Sequence, residues 1–172
     1  VIVGGVAGGA SAAARLRRLR EDAEIILLER GEYVSYANCG LPYYIGGEIT
    51  QKTALTVQTP ESLRRRLNLD VRIRSEVAAI HRGEKQVEVR DLDKGITYMD
   101  RYDHLILSTG AVPVRPPFPG ADDARVFTLH TIPDTYRIAA YMKESAPRRA
   151  LIVGAGYIGV EMAENLTRTG ME

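Results

Sequence analysis

Val1-Ile2-Val3-Gly4-Gly5-Val6-Ala7-Gly8-Gly9 runs from an apolar tripeptide straight into glycines. The tripeptide reads as a short buried strand. Ala10 to Arg20 follows at helical period, with Ala13, Leu16 and Leu19 among the inward positions. Ala23-Glu24-Ile25-Ile26-Leu27-Leu28-Glu29 reads as a second strand that ends in an acid. Strand, glycine turn, helix, strand and acid together make the dinucleotide-binding βαβ unit of an α/β fold. Glu29 stands twenty residues beyond Gly9, where a carboxylate can accept from a ribose hydroxyl. The glycines let the backbone approach a pyrophosphate at the positive end of the helix. With Gly4 and Gly9 as first and last glycines of G-x-G-x-x-G, the middle position is Val6, whose Cβ narrows that approach.

The unit recurs. Ala150-Leu151-Ile152-Val153 reads as a strand leading into Gly154-Ala155-Gly156-Tyr157-Ile158-Gly159, an intact G-x-G-x-x-G, and a helix continues through Glu161 to Thr169. Two copies in one chain suggest two dinucleotides. The expected fold is therefore α/β, with two Rossmann-like units: a first over 1–112 and a second, truncated one over 113–172. The chain opens without Met, directly in a strand, and Met171-Glu172 reads as the start of another. On that reading it is a piece of a longer protein.

Between the glycine turns the signals are local. Thr59-Pro60-Glu61 is a helix start, with a cap, a first-turn proline and an acid beside the positive dipole end; the helix should run to Leu67. Val71 to Arg74 and Glu76 to Ile80 read as extended. Gln86 to Arg90 and Ile96 to Tyr102 alternate as a hairpin around Asp93-Lys94-Gly95. The charges of this region read as solvated faces. Tyr102 to Leu107 reads as a buried strand ending in Ser108-Thr109-Gly110-Ala111. Val112 to Gly120 carries four prolines and reads as a linker, and Thr131-Ile132-Pro133-Asp134 starts a helix to about Lys143.

The balance of 23 basic against 22 acidic residues gives no electrostatic case for nucleic acid or a membrane surface. No apolar run approaches the roughly 20 residues that span a bilayer. A single cysteine excludes an intrachain disulfide and fits a reducing cytosol. His81, His104 and His130 have no partners at metal-ligand spacing and read as structural, so no metal is expected.

That cysteine lies in Ser35-Tyr36-Ala37-Asn38-Cys39-Gly40-Leu41-Pro42-Tyr43-Tyr44-Ile45-Gly46-Gly47. Cys39 precedes a short predicted helix, Leu41 to Ile45, whose dipole would favour a thiolate, and Asn38 could orient the sulfur's partner. A lone cysteine is otherwise a small buried hydrophobe. Ser11, Arg15 and Arg18, at i, i+4 and i+7, share one helix face. Two guanidiniums there suit phosphate; the alternative is a solvated basic face, to which Arg17 and Arg20 would also belong.

Val3-Gly4-Gly5-Val6-Ala7-Gly8-Gly9, Ser35 to Tyr43, Ser108-Thr109-Gly110-Ala111 and Val153 to Gly159 occur in one order and spacing over essentially all 172 residues. Together they resemble the single-cysteine branch of the flavin-dependent pyridine nucleotide-disulfide oxidoreductases, which includes coenzyme A disulfide reductases, NADH-dependent persulfide reductases and NADH oxidases. The Val6 departure is shared by the coenzyme A disulfide and persulfide reductases. In dithiol relatives two cysteines stand five positions apart; Val34 and Tyr44 hold those places here.

The resemblance implies FAD in the first unit, with Gly4, Gly5, Val6, Ala7, Gly8, Gly9 and Ala10 at the pyrophosphate and Glu29 and Arg30 at the adenosine ribose. The Val77 backbone would meet the adenine, and Thr109 and Gly110 would lie against the cofactor. It implies NAD(P)H in the second unit through Gly154, Gly156 and Gly159, with Tyr157 as an aromatic gate and Glu161 near the nicotinamide. Cys39 would be the redox sulfur, oxidised as a mixed disulfide, persulfide or sulfenate. Ser11, Arg15, Arg18, Ser35 and Asn38 would contact a coenzyme A disulfide or persulfide substrate. The same resemblance implies a homodimer completed by the partner subunit, and an inactive isolated chain; the single cysteine makes a cytoplasmic location the expectation. A water-forming NADH oxidase is the nearest rival reading, and a nucleotide-binding redox sensor without turnover is the rival from another class.

Overall fold

The structure is a computed structural model that describes residues 1–172. The chain forms two compact units, Val1–Tyr36 with Thr56–Gly110 and Ala37–Leu55 with Ala111–Glu172.

In the first unit, β1 (Ile2–Val3) passes through the glycine turn into α1 (Gly8–Leu19), and β2 (Ile26–Leu28) pairs with β1 in parallel. In the second, α2 (Leu41–Ile45) follows a 3₁₀ turn at Asn38–Gly40. Back in the first, α3 (Pro60–Leu67) leads to β3 (Asp70–Arg72), β4 (Ser75–His81), β5 (Gln86–Asp91), β6 (Ile96–Arg101) and β7 (Ile106–Leu107). The parallel sheet has the order β3-β2-β1-β7, and β4-β5-β6 is a separate antiparallel sheet. The hairpin is as expected, with Gly95 at φ +68° in its turn.

Alternation along the central strands sorts the core into two layers. Ile2, Ile25, Leu27 and Val71 face one way and pack with Ala13 and Leu63 from α1 and α3. Ile26 and Leu28 face the other way and pack with Val87 and Val89 from the antiparallel sheet. Both faces of β2 are therefore covered, which is why its apolar run is unbroken. Arg72 fastens the two sheets, meeting Asp70 at 2.5 Å and Asp100 at 2.6 Å. Burial pulls its guanidinium pKa down. The hydrogen bonds it donates to Asp70 and Tyr98, with the Asp70 and Asp100 charges, outweigh that and raise it.

Two sequence expectations fail at the edges of this unit. Leu19, the last residue of α1, is 61% exposed and takes no part in the core. Of the expected strand Tyr102–Leu107 only Ile106 and Leu107 form one, and both are exposed, because β7 is the sheet's edge strand. Arg17 is no free surface cation. It donates to the carbonyls of Leu67, at 2.8 Å, and Asn68, at 2.9 Å, and so joins the ends of α1 and α3.

In the second unit, α4 (Ile132–Ser145) and α5 (Tyr157–Arg168) enclose an apolar cluster of Ile45, Ile138 and Leu166. Thr131 and Asp134 complete a capping box at the start of α4. The expected strand Ala150–Val153 does not form. Its edges would need neighbouring strands, and only the backbone pairs Ala150–Glu172 and Glu172–Arg148 are made; Leu151 and Val153 stay exposed.

Replacing Leu27, fully buried at the centre of the sheet, with Ala should cost about 2–5 kcal/mol. Leu19→Ala should stay within about 0.5 kcal/mol. Urea unfolding of the full-length protein checks both; equal losses would contradict this core.

Candidate functional site

The glycine turn after β1 is fixed by close packing. Gly4 sits at φ +96°, in the region that glycine favours. A Cβ at Gly9 would fall onto the Gly4 carbonyl oxygen, so α1 can begin only where it does if that position is glycine. Gly159 stands in the same relation to Gly154, whose φ is +108°. The sequence repeat is thus also a repeat of geometry.

The helix ends differ in a telling way. α3 and α4 are capped by threonine side chains, Thr59 and Thr131. α1 and α5, the two helices behind glycine turns, have no side-chain cap and no acid in the first turn. Their first N–H groups remain available and their dipoles uncompensated, which fits a pyrophosphate at each. Tyr157, the first residue of α5, is 92% exposed, and Glu161 is half-buried one turn on.

Glu29 lies at the end of β2, opposite the first glycine turn. Its carboxylate accepts from the Gly5 N–H at 2.7 Å and from the Gly31 N–H at 2.7 Å. These bonds hold the acid at the sheet's C-terminal end, with oxygen lone pairs to spare. The Ser75 N–H donates to the Glu29 carbonyl at 2.9 Å, bringing in the start of β4. Val77 follows on β4, an edge strand with a bulge between Val77 and Ala79. Arg30 pairs with Glu76 at 3.8 Å. On the other side of β1, the Ser108 N–H donates to the Val3 carbonyl, which puts Thr109 and Gly110 beside the glycine turn. The predicted first-unit residues other than Val77 therefore gather at one end of the parallel sheet.

Next to them opens a cavity of about 450 Å³, whose walls include Val6, Ser11, Ser35, Tyr36, Gln58 and Arg66. It unites Ser11 and Ser35 with Val6, Ala7 and Ala10. Arg15 and Arg18, farther along α1, are exposed and not part of its wall. Arg66 was hidden in the run Arg64-Arg65-Arg66, read as solvated charge. The signal that finds it is topological: successive parallel crossovers lay α1 and α3 on the same face of the sheet. Ser35 holds φ +44°, unusual for a residue with a Cβ. Its N–H donates to the Gly5 carbonyl, and its own carbonyl accepts from Val57 and Gln58.

In the second unit, Cys39 is exposed in the 3₁₀ turn, beside the equally exposed Asn38. The turn is closed by the Gly40 N–H on the Ala37 carbonyl at 2.9 Å, and the Ala37 N–H donates to Leu55 at 2.8 Å. Leu41 and Pro42 are buried directly behind it. The sulfur is thus presented to solvent on a braced backbone, as a nucleophile or an electron acceptor must be. The helix that follows has five residues, shorter than the helices at the glycine turns.

Comparison with known proteins gives the family. The chain is 37% identical over 172 residues to the coenzyme A disulfide reductase of Staphylococcus haemolyticus, covering all of this chain and 38% of that protein. It is 35% identical over 173 aligned residues to an NADH oxidase of Methanocaldococcus jannaschii, again covering all of this chain and 38% of the relative. The crystal structure of reduced Bacillus anthracis CoADR-RHD superposes with a TM-score of 0.96 at 56% identity, over 99% of this chain and 31% of that one. The chain thus spans well under half the length of these relatives. The pyridine nucleotide-disulphide oxidoreductase model matches residues 1–172, and the chain belongs to that family.

Proposed function

We propose that the full-length protein reduces a coenzyme A disulfide with NAD(P)H, using Cys39 as its one redox sulfur. The observation that carries this reading is the exposed sole cysteine, held in a closed turn within a chain that has two uncapped, glycine-led helix N-termini. Members of the family bind FAD and NAD(P)H. In this reading Gly4 to Ala10, Glu29, Arg30, Val77, Thr109 and Gly110 hold FAD, and Gly154, Gly156, Gly159, Tyr157 and Glu161 hold NAD(P)H. FAD, when bound, supplies two-electron exchange between the nicotinamide and sulfur.

The chemistry at Cys39 balances with one cysteine. Its thiolate attacks one sulfur of the incoming disulfide, the substrate S–S bond breaks, and one coenzyme A leaves as a thiolate that takes a proton from water. Cys39 is left in a mixed disulfide. Two electrons and a proton, equivalent to the hydride of NAD(P)H, break that bond and release the second coenzyme A as thiol. The Cys39 thiolate is restored. A persulfide substrate would meet the same thiolate by the same kind of exchange. Ser11, Ser35 and Arg66 support recognition of a phosphate-bearing substrate, since they offer two hydroxyls and a guanidinium around one cavity. By resemblance to the coenzyme A disulfide reductases, Arg15, Arg18 and Asn38 are further candidates for contact with the substrate.

Anaerobic NADH consumption by the full-length protein should begin on addition of coenzyme A disulfide and disappear in Cys39→Ser. Consumption that starts only when oxygen is admitted would instead support the NADH oxidase reading. Arg66→Ala should raise the KM for coenzyme A disulfide by about tenfold or more, the scale of one charge-assisted hydrogen bond, and spare a phosphate-free disulfide. Steady-state kinetics with both substrates checks this; equal effects on the two would remove Arg66 from phosphate recognition.

A further inference from the structure

Asn165 is fully buried in α5, and its side-chain oxygen has no hydrogen-bond partner. Its amide nitrogen donates to the Glu161 carbonyl at 2.8 Å, which fixes the orientation of the group and aims the oxygen away from its own helix turn. A buried, unpaired amide oxygen is uncommon and calls for a reason. It is pressed against Gly46, at the C-terminal end of α2. A Cβ at Gly46 would lie 2.5 Å from that oxygen and 2.8 Å from the Asn165 Cβ. At φ −71° Gly46 has an ordinary backbone conformation, so the need for glycine there is purely one of room.

The two sides of this contact carry different chemistry. α2 follows directly on the Cys39 turn, and the Gly46 N–H closes its last turn on the Pro42 carbonyl at 2.9 Å. α5 carries Tyr157 and Glu161 at its N-terminal end, with Asn165 four residues after Glu161. A neighbouring tie runs in parallel: Arg168 of α5 holds Glu48, just beyond α2, and Glu164 at 2.7 Å. On the far side Tyr44 packs on Tyr136 of α4, with ring centroids 5.5 Å apart. α2 is thus gripped between α4 and α5, and the contact at Gly46 leaves no slack.

We infer that Asn165 is a positioning residue for the redox sulfur: pressed on Gly46, it fixes α2 and with it the Cys39 turn relative to the nicotinamide end of α5. The inference rests on the reading of Cys39 as the redox residue. The polar oxygen matters as a rigid stop, because the Glu161 carbonyl holds its amide in one rotamer, whereas an apolar side chain of similar size would be free to turn aside.

The test uses the full-length flavoprotein with Gly46→Ala, Asn165→Ala and the double variant Gly46→Ala/Asn165→Gly, in which no Cβ remains at 165 to meet the new one. The readouts are the alkylation rate of reduced Cys39 by iodoacetamide, the kcat for disulfide reduction and the KM for NADH. Gly46→Ala should change the alkylation rate and lower kcat by about tenfold or more, with the KM for NADH unchanged, as displacement of a reacting group does. Removing the obstructing side chain in the double variant should recover most of that loss. An unaltered alkylation rate in Gly46→Ala, or a double variant no better than Gly46→Ala, overturns the inference. If Gly46→Ala does not accumulate, Asn165→Ala decides alone, and a wild-type alkylation rate in it overturns the inference. Turnover retained in Cys39→Ser would instead remove the underlying reading of the sulfur.

Discussion

A helix can offer its N-terminus to an anion at the end of a strand only if the intervening turn is tight enough to seat the helix against the turn's own backbone. Gly9 under the Gly4 carbonyl meets that constraint, and Gly159 under the Gly154 carbonyl meets it again. Everything else at these ends follows from the seat. The first N–H groups of α1 and α5 carry no side-chain cap. In the first unit the acid at the end of the next strand is then within reach, and Glu29 holds the Gly5 N–H itself. A methyl group at Gly9 would undo the arrangement by displacing the helix, with no ligand involved.

Signals that act within a few residues were legible in the sequence. Both threonine-capped helices begin at the residue expected, because Thr-x-x-Asp and Thr-Pro-Glu decide the matter locally. The glycine turns, the hairpin and the proline-rich connector were legible for the same reason. What depends on distant partners was not. Burial of β7 is decided by where the sheet stops, and a strand at Ala150–Val153 by neighbours that must lie beside it. Arg17 and Arg66 sit in a basic background with nothing local to distinguish them. One caps the carbonyl end of α3, and the other lines a cavity. Nor could spacing show that Ala37–Leu55, flanked on both sides by the first unit, packs with the second.

That membership gives the Cys39 segment its character. In the proposed function this thiol has no second cysteine of the chain beside it, so its oxidised partner would come from the substrate, and the backbone that carries it would have to stay put through each exchange. Buried Leu41, Pro42 and Ile45, the ring contact of Tyr44 with Tyr136 and the glycine contact with α5 all serve to hold it. The sulfur is exposed while the chain beneath it is fixed, which suits a nucleophile that meets a large substrate.

The central claim is that Cys39 itself takes on half of the substrate. Intact-mass and peptide measurements on the reduced full-length protein, after one equivalent of coenzyme A disulfide without oxygen, test it most directly. The account predicts a single coenzyme A adduct on the peptide that contains Cys39, removed on addition of NADH. An adduct on another residue, or one that NADH leaves in place, would contradict it.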